Sequence, residues 1–387
     1  MDGMRRSLVV VGVAGLFGLA ACTSPAPRVA SAVSGSAVDS QTSAAYAMGD
    51  YFKVRKFDAH VHANSTEPVF LQLAQSENFE LLSINVDYPD FPTLRQQHEA
   101  VLRLAGEDPG RFHWATTFSM TGFGTPGWLA ATNKRLDEEV AEGARAVKVW
   151  KNIGMVERNA KGELIMLDDP GLSPVADHIQ QLGVPLIAHQ AEPYNCWLPL
   201  DKMTTDNDRE YFSKHPDYYM YLHPEMPSHA DLMGARDRFV AAHRQLKFVG
   251  AHMASLEYDV DVLAKFLETY PNATVDLAAR MSQVQHQSLR DRDKVRDFFI
   301  RYQDRLLYGT DLTQEPQADP AAFEAEARAF WRSDWRYLAT DQSQRVDILK
   351  ADVPGLALPR AVIDKLYYRN AIRVFGLKDR SAAASGK

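Results

Sequence analysis

Two histidines one residue apart are the first residues of this chain whose types and spacing could do chemistry. His60 and His62 stand in the run FDAHVH at residues 57–62, where a strand-like segment ends. Residues two apart point to the same face of a strand, so both imidazoles can reach one metal ion. Asp58, in the same run, is interpreted as a structural hydrogen-bonding residue and not as a ligand. The pair is strong evidence for a metal site only if further ligands stand at the ends of later strands.

Apolar, strand-like runs alternate with amphipathic, helix-like stretches along the rest of the chain. This alternation is typical of a parallel sheet built from βα units, and eight such runs predict a single closed (β/α)₈ TIM barrel of the α/β class. An open, doubly wound sheet would want a Gly-rich turn after its first strand, where this chain has His-x-His. The eight runs are residues 52–61, 80–86, 112–118, 144–150, 184–189, 247–252, 273–278 and 305–311. Helices are predicted over residues 94–104, 129–141, 174–182, 230–243, 260–269 and 291–302.

Four polar residues stand at or near the carboxyl ends of the later runs. They are Lys148 in the fourth run, His189 in the fifth, His252 in the sixth and Asp311 in the eighth. In a barrel these positions converge around one mouth. A polar residue at the end of an apolar strand needs a partner, so a shared metal explains the joint pattern. The predicted metal ligands are His60, His62, His189 and Asp311.

Two segments are longer than a barrel needs, namely residues 190–229 after the fifth strand and residues 312–358 after the eighth. Loops that follow the strands open onto the active face of a barrel. We therefore expect both insertions at the mouth, where long loops often act as lids. Surface decoration without a function is the alternative interpretation.

The composition limits the kinds of partner. The chain has 387 residues, of which 45% are hydrophobic and 24% are charged, as in ordinary globular proteins. Its formal net charge is -7, and no basic stripe is visible, which argues against nucleic acid as a partner. A small-molecule substrate is the expected partner, and the formation of a homo-oligomer stays open.

The first residues are typical of an export signal. Two arginines precede an apolar run over residues 8–21, which is too short to read comfortably as a spanning helix, and LAAC at residues 19–22 resembles the bacterial lipobox. We therefore predict a bacterial lipoprotein on the periplasmic side of the cell envelope, attached to the membrane only through lipid on Cys22. An ordinary secretory signal cut near Ala21 is the alternative. Lipid on Cys22 would leave Cys196 without a disulfide partner.

These features predict four parts of the chain. The Ser-, Ala- and Pro-rich residues that follow the signal have the composition of a flexible linker. The parts are a signal peptide over residues 1–21, a tether over 23–50, one metal-dependent hydrolase domain over 51–378 and a disordered tail over 379–387.

With these residues in place, the chain resembles the amidohydrolase superfamily, and in particular its amidohydrolase-2, or amidohydrolase-related, branch. The resemblance covers residues 57–377 and rests on five short motifs that are specific together but not singly. They are DAHVH at residues 58–62, AH at 188–189, GAH at 250–252, YGTD at 308–311 and the closing helix YRNAIRVFGL at 368–377. The branch includes sugar lactonases, a pyrone dicarboxylate lactonase and nonoxidative decarboxylases.

The resemblance implies roles for these residues. His60 and His62 would bind the first divalent metal, with Asp311 facing them and accepting the proton of a metal-bound water. His189 would complete the site. His252 would be a ligand of a second metal or a neutral general base.

The chemical state of Lys148 distinguishes a one-metal site from a two-metal site. In binuclear members a lysine at this place is carbamylated and bridges two metals, whereas an unmodified ammonium would repel a dication. Strand alternation places Lys148 on the same face as Ala146 and on the opposite face from Lys151. We favour one ion, with Zn²⁺ expected, and a Lys148 that binds substrate.

Two further residues are predicted to contact the substrate. Arg280 follows the seventh strand near the mouth and could clamp a carboxylate or stabilise an oxyanion, although a rim salt bridge is an equal alternative. His223 lies in the aromatic segment of residues 218–225, which could wall the pocket or form a solvated loop or dimer contact.

The predicted function is metal-dependent hydrolysis, in which a metal-activated water attacks the carbonyl of a lactone, an ester or an amide. A nonoxidative decarboxylase or lyase of the same branch is the alternative, and there the metal would orient a substrate carboxylate. A non-catalytic surface lipoprotein that binds a ligand is a third possibility. The candidate general base argues against that third class, because binding alone needs no base.

Overall fold

The structure is a computed structural model, and it describes residues 44–379. The predicted signal peptide, Cys22, most of the tether and nearly all of the predicted tail lie outside the described residues. Residues 44–50 were assigned to the tether, yet they belong to the folded body. Ala45 forms a β-bridge with Pro359, and the Tyr46 hydroxyl donates to Asp364 over 2.9 Å.

Parallel strands form one nine-stranded sheet in the order β8-β7-β6-β5-β4-β3-β2-β1-β9. The strands are β1 Lys56–Ala63, β2 Phe79–Ile84, β3 Phe112–Thr117, β4 Val147–Val149, β5 Leu186–Ala188, β6 Phe248–Gly250, β7 Ala273–Asp276, β8 Leu306–Leu307 and β9 Leu312–Gln314. The predicted eighth strand is split into β8, which pairs with β7, and β9, which pairs with β1. Between them, Ala59 N donates to Tyr308 O over 2.9 Å and Asp311 N donates to His60 O over 2.8 Å. These bonds join the two edges of the sheet and close the predicted barrel.

Helices surround the strands. They are α1 Val69–Glu77, α2 Leu94–Glu107, α3 Trp128–Glu142, α4 Asn152–Met155, α5 Ser173–Leu182, α6 Asp206–Lys214, α7 His229–Ala242, α8 Ala251–Ala254, α9 Val260–Thr269, α10 Met281–Arg290, α11 Arg292–Arg301, α12 Pro320–Ala339, α13 Arg360–Asp364 and α14 Asn370–Val374. A π-helical segment, Lys365–Arg369, joins α13 to α14. The six predicted helices are all present, with ends that differ by at most three residues. Within the described residues, no helix is both long and apolar enough to cross a membrane.

Two buried apolar layers hold the barrel together. The larger layer lies between the strands and the outer helices, and it includes Val147 and Val149 of β4. The smaller layer fills the barrel interior and includes Leu82, Ala115 and Ala146. Ala146, which directly precedes β4, points inward, so alternation along the chain points Lys148 inward as well.

The insertion after β5 forms a cap over the mouth, which we define as residues 190–228. It consists of α6 and four 3₁₀ turns, Tyr194–Trp197, Leu200–Lys202, Pro216–Tyr218 and Met220–Leu222. A small apolar core of its own, built around Cys196, Phe212 and Met220, keeps the cap compact. The second insertion contains α12, which packs beside α1, and a hairpin of β10 Gln344–Val346 and β11 Ala351–Val353, whose turn touches α6. The turn of this hairpin therefore reaches the cap, whereas α12 is an outer helix of the barrel.

Candidate metal centre

His60, His62 and Asp311 converge at the carboxyl end of the barrel, where β1 meets β9. Asp311 Oδ1 lies 3.3 Å from His60 Nε2 and 3.2 Å from His62 Nε2. Donors held tetrahedrally at about 2.1 Å from one ion lie about 3.4 Å from one another. The spacing of the three atoms therefore fits a single divalent cation.

The other nitrogen of each ring decides which lone pairs face this point. His60 Nδ1 lies 2.9 Å from Asp276 Oδ2, and His62 Nδ1 lies 2.7 Å from Ile84 O. Carboxylate and carbonyl oxygens only accept, so each Nδ1 carries the proton and each neutral ring turns an Nε2 lone pair toward Asp311. Burial, aided by the nearby Lys148 ammonium, lowers the pKa of His60 and favours this neutral form. Lone pairs that converge in this way repel one another unless a cation lies between them, so the donor set fits a metal.

Asp276, at the end of β7, is a functional residue that the sequence analysis missed. Its Oδ2 accepts from His60, and its Oδ1 accepts from the backbone N–H groups of His252 and Ala278 over 2.7 and 3.2 Å. Metal-binding histidines commonly donate their second N–H to a carboxylate, which fixes the ring. A second group of potential donors contains His60, His252 and Asp276, but these hydrogen bonds already occupy it. The available signal was a lone carboxylate that ends an apolar strand.

Lys148 points into the barrel, as the alternation of β4 predicts. Its Nζ lies 3.3 Å from His60 Nε2, beside the three converging donors. Burial lowers the pKa of Lys148 to about 8, although Asp276 and Asp311 oppose the shift. The side chain thus places a cationic amine, with an appreciable neutral fraction near neutral pH, at the edge of the metal centre.

The short segment α8 is not a regular right-handed helix, because most of it belongs to a left-handed turn, which we define as residues 252–255 and which begins at His252. All four residues have positive φ, between 55° and 57°, although none is glycine. Left-handed backbone costs an L-residue about 1–2 kcal/mol, so surrounding contacts have to hold this turn. His252 Nδ1 donates to Ala278 O over 2.9 Å, which leaves a lone pair on Nε2. Burial holds the pKa of His252 well below its usual range, so the ring is a neutral base.

Two predicted residues are not brought to the metal donors. The His189 ring packs 4.2 Å from the His252 ring in the cavity, but its Nε2 donates to Ala191 O over 3.0 Å. It belongs to neither donor group in the described part of the chain, so the predicted fourth ligand is not in place. His223 does not line the cavity, because it lies on the cap with its ring nitrogens against Pro216 O and Glu225. The structure therefore does not place His223 where the sequence analysis expects it, at the cavity above the metal donors.

A cavity of about 290 Å³ opens above the metal donors. Its aromatic wall was not predicted and contains Tyr88, whose ring lies 4.7 Å from that of Trp150, and Phe91, which lies 5.1 Å from the His62 ring. Lys151 and Glu192 form an ion pair that also lines the cavity.

Arg280 reaches the same cavity with much of its hydrogen-bonding capacity free. The residue is 7% exposed, and one Nη1 bond to Ala279 O uses a single donor. Its Nε has no hydrogen-bond partner among the described residues, and the nearest carboxylate oxygen, Glu257 Oε2, lies 4.0 Å away. Glu257 itself is buried and accepts from Tyr194 N over 2.6 Å. A guanidinium placed in this way can bind an anionic group.

Asp58 has the structural role predicted for it. It accepts from the Thr310 N–H and hydroxyl over 3.0 and 2.7 Å, and from Trp331 Nε1 over 2.8 Å. Regular alternation would place Asp58 on the same face as His60 and His62. The register of β1 is irregular between Asp58 and Val61, which frees the carboxylate to turn toward α12.

The amidohydrolase family model matches residues 113–377, which is more than half of the chain. The chain belongs to the amidohydrolase family. Members of this family are metal-dependent enzymes that act on small molecules. The match begins after His60 and His62, so the assignment of these two histidines in this amidohydrolase depends on the geometry above.

Solved structures similar to this amidohydrolase cover several reactions. One is 2,6-dihydroxybenzoate decarboxylase from Rhizobium (TM-score 0.48, 16% identity, 84% of this chain and 99% of the other). Another is 5-carboxyvanillate decarboxylase from Sphingomonas paucimobilis (TM-score 0.45, 12% identity, 84% of this chain and 100% of the other). A third is 4-oxalomesaconate hydratase from Rhodopseudomonas palustris (TM-score 0.45, 12% identity, 86% of this chain and 98% of the other). The comparison with curated proteins finds no match.

Proposed function

We propose that this chain is a hydrolase that uses water to cleave the acyl C–O or C–N bond of a lactone, an ester or an amide in a small anionic substrate. The observation that carries the proposal is the convergence of three lone-pair donors, from His60, His62 and Asp311, beside a neutral His252. When bound, a divalent cation at these donors would supply a nucleophilic water at neutral pH and polarise the carbonyl. Zn²⁺ suits a set of two imidazoles and one carboxylate.

The same hydrogen bonds support the proposal of a single ion. The second donor group is occupied by the bonds from Asp276 to His60 and to the His252 backbone. Lys148 lies beside His60, and among the described residues no second set of open donors is near it for a bridge between two ions. These contacts support one ion.

The chain's own residues provide proton transfer and substrate binding. The Asp311 side chain is 32% exposed and faces the cavity, so it can accept a proton from the attacking water. His252 offers a second proton acceptor, the Nε2 atom of its neutral imidazole. Arg280 and Lys148 would hold the anionic group and the developing negative charge of the substrate.

The proposal is tested with zinc-loaded protein and a panel of lactones and aryl esters that carry a carboxylate. We expect turnover that chelation abolishes, and a loss of at least about 100-fold in kcat/KM for D311N. The matched control is D304N, which makes the same chemical change at an exposed ion pair with Lys365. Wild-type protein without turnover under any of Zn²⁺, Mn²⁺ or Fe²⁺ would contradict the proposal and favour a ligand-binding protein.

Arg280 gives a sharper test of the substrate class. With an active substrate in hand, R280M should raise KM by about 10-fold or more for the carboxylate form and much less for its methyl ester. Equal effects on both forms would show that Arg280 does not bind the anionic group.

Decarboxylation is the second candidate, and three cationic side chains of the cavity favour it. Lys148, Lys151 and Arg280 all reach this space, which suits a substrate carboxylate. Incubation with aromatic carboxylic acids distinguishes the two reactions, because a decarboxylase releases CO₂ and a hydrolase does not.

We further propose that the chain is exported and held at the periplasmic side of the envelope by lipid on Cys22. The support is the LAAC sequence at residues 19–22, which lies outside the described residues. Expression of the full chain in a bacterial host with radioactive palmitate should label the wild type but not C22S. Label in both proteins, or in neither, would contradict the anchor.

A further inference from the structure

The left-handed turn of residues 252–255 needs support from outside itself. It folds back so tightly that a Cβ at Gly250 would lie 2.5 Å from the Ala254 Cβ. Four consecutive non-glycine residues with positive φ persist only where the surroundings over-determine them. The turn also carries His252, so whatever holds it also sets the position of that ring.

Hydrogen bonds reach the turn from three directions. At its start, His252 N donates to Asp276 Oδ1 over 2.7 Å. At its end, His229 Nε2 donates to Ser255 O over 2.8 Å, and Ser255 Oγ donates to Ala191 O over 3.1 Å. The middle of the turn is held by the Ala254 carbonyl, which accepts from Arg236 Nη1.

Burying the Arg236 guanidinium beside this turn has a free-energy cost. It is 1% exposed, and its guanidinium lies over the Phe266 ring, 4.2 Å from the centroid. Asp237 accepts from its Nε and Nη2 over 2.9 and 2.7 Å, which leaves Nη1 for the turn and for Met233 Sδ. Burying a cation is costly unless it is paired and hydrogen-bonded. The one backbone group outside its own helix that Arg236 binds is the Ala254 carbonyl, among the contacts of the described residues.

We infer that Arg236 is a positioning residue that acts on His252 through the left-handed turn. Without its donor, the Ala254 carbonyl is left buried and unsatisfied, and the turn relaxes toward ordinary backbone. The His252 ring then moves away from its place beside His60, whose centroid lies 4.8 Å from it. The metal donors stay, because His60 and His62 lie on β1, and Asp311, which precedes β9, is bonded through its backbone N–H to His60 O. The catalytic role of His252 rests on the proposed function, whereas the support of the turn does not.

The test compares R236M with R305M in the zinc-loaded full chain. Arg305 is a matched control, since it also donates to backbone carbonyls, those of Ala273 and Tyr270, but at the opposite end of the barrel. Hydrogen exchange by mass spectrometry is measured on the peptide that contains residues 250–257. Zinc affinity and, on any hydrolysed substrate, kcat and KM are measured in parallel.

For R236M we expect exchange in this peptide to be at least about tenfold faster, with unchanged zinc affinity. We also expect a loss of about tenfold or more in kcat at nearly constant KM. R305M should change neither the exchange rate of this peptide nor kcat. Unchanged exchange in R236M, or an equal loss of kcat in R305M, would overturn the inference.

Two further results keep the test decisive. R236K keeps a donor for the Ala254 carbonyl, so it should restore most of the protection and most of the kcat. If R236M does not fold, R236Q, which is shorter and lacks the guanidinium, replaces it with the same expected losses. Faster exchange in R236M without turnover in the wild type would support the role of Arg236 in the turn while contradicting the proposed function.

Discussion

The carboxylate of Asp276 links two parts of the site that are far apart in the chain. One oxygen orients His60 and the other holds the backbone at His252. The single side chain of Asp276, which is 1% exposed, therefore aligns a metal donor with the candidate base. Sequence reasoning weighs residues by type and spacing, and a lone Asp after an apolar run reads equally well as the end of a strand.

Replacing Asp276 by Asn should weaken zinc binding by about 10- to 100-fold while the fold is retained, because Asn has one acceptor oxygen where Asp276 uses two, for His60 and for the backbone at residues 252 and 278. A competition titration with a chromophoric chelator measures the affinity. D304N provides the control for the same substitution at the surface. Wild-type affinity in D276N would mean that the His60 ring is oriented by other contacts.

The break in the eighth strand is the element that brings Asp311 into the mouth. β8 and β9 are separated by residues 308–311, which include Gly309 and Asp311, whose φ is 70°. At Gly309 the backbone passes so near to β1 that an added Cβ would lie 3.0 Å from the His60 Cβ. The sequence predicts one continuous strand here, since nothing local in YGTD marks a break.

Gly309→Ala should displace His60 by a few tenths of an ångström and lower zinc affinity by about tenfold, with a loss of about 1–3 kcal/mol in stability. Zinc titration and urea denaturation measure the two effects. Gly106→Ala is the control, because a Cβ at this helical position meets nothing within 4 Å. Equal behaviour of the two variants would show that the site tolerates the added methyl group.

The outer helix α12 is joined to the barrel wall through two buried carboxyl groups. Trp331 donates to Asp58, and the Tyr308 hydroxyl donates to Asp334 over 2.9 Å. Burial raises the pKa of Asp58 and of Asp334 to about 7 in each case. This link runs from the second insertion to the residues flanking the metal donors, so the stability of the whole molecule depends on pH through it.

The sign of this dependence can be worked out for Asp334. Its folded-state pKa of about 7 lies above its unfolded value of about 4, so its favourable contribution is complete below pH 4 and is lost as pH rises to 7. D334N, which still accepts from Tyr308, should therefore gain stability relative to the wild type between pH 4 and 8, by up to a few kcal/mol. Urea denaturation at both pH values measures the difference. A difference that does not change with pH would contradict the raised pKa.

The sequence by itself determined the fold class, the succession of the strands and, to within three residues, the ends of the six helices that it predicts. It also indicated that His60, His62, Lys148, His252 and Asp311 would meet. These features follow from local periodicity, because a strand's alternation and a helix's spacing are carried by neighbouring residues, and parallel strands end at one mouth.

The tertiary structure decided what those residues do. Whether His189 joins the donors depends on the carbonyl of Ala191, and whether His60 turns Nε2 to the metal depends on Asp276. Arg236 and the turn at His252 could not be paired from the sequence either. Such hydrogen bonds join residues that are placed by different strands and loops, so they exist only once the barrel has closed around them.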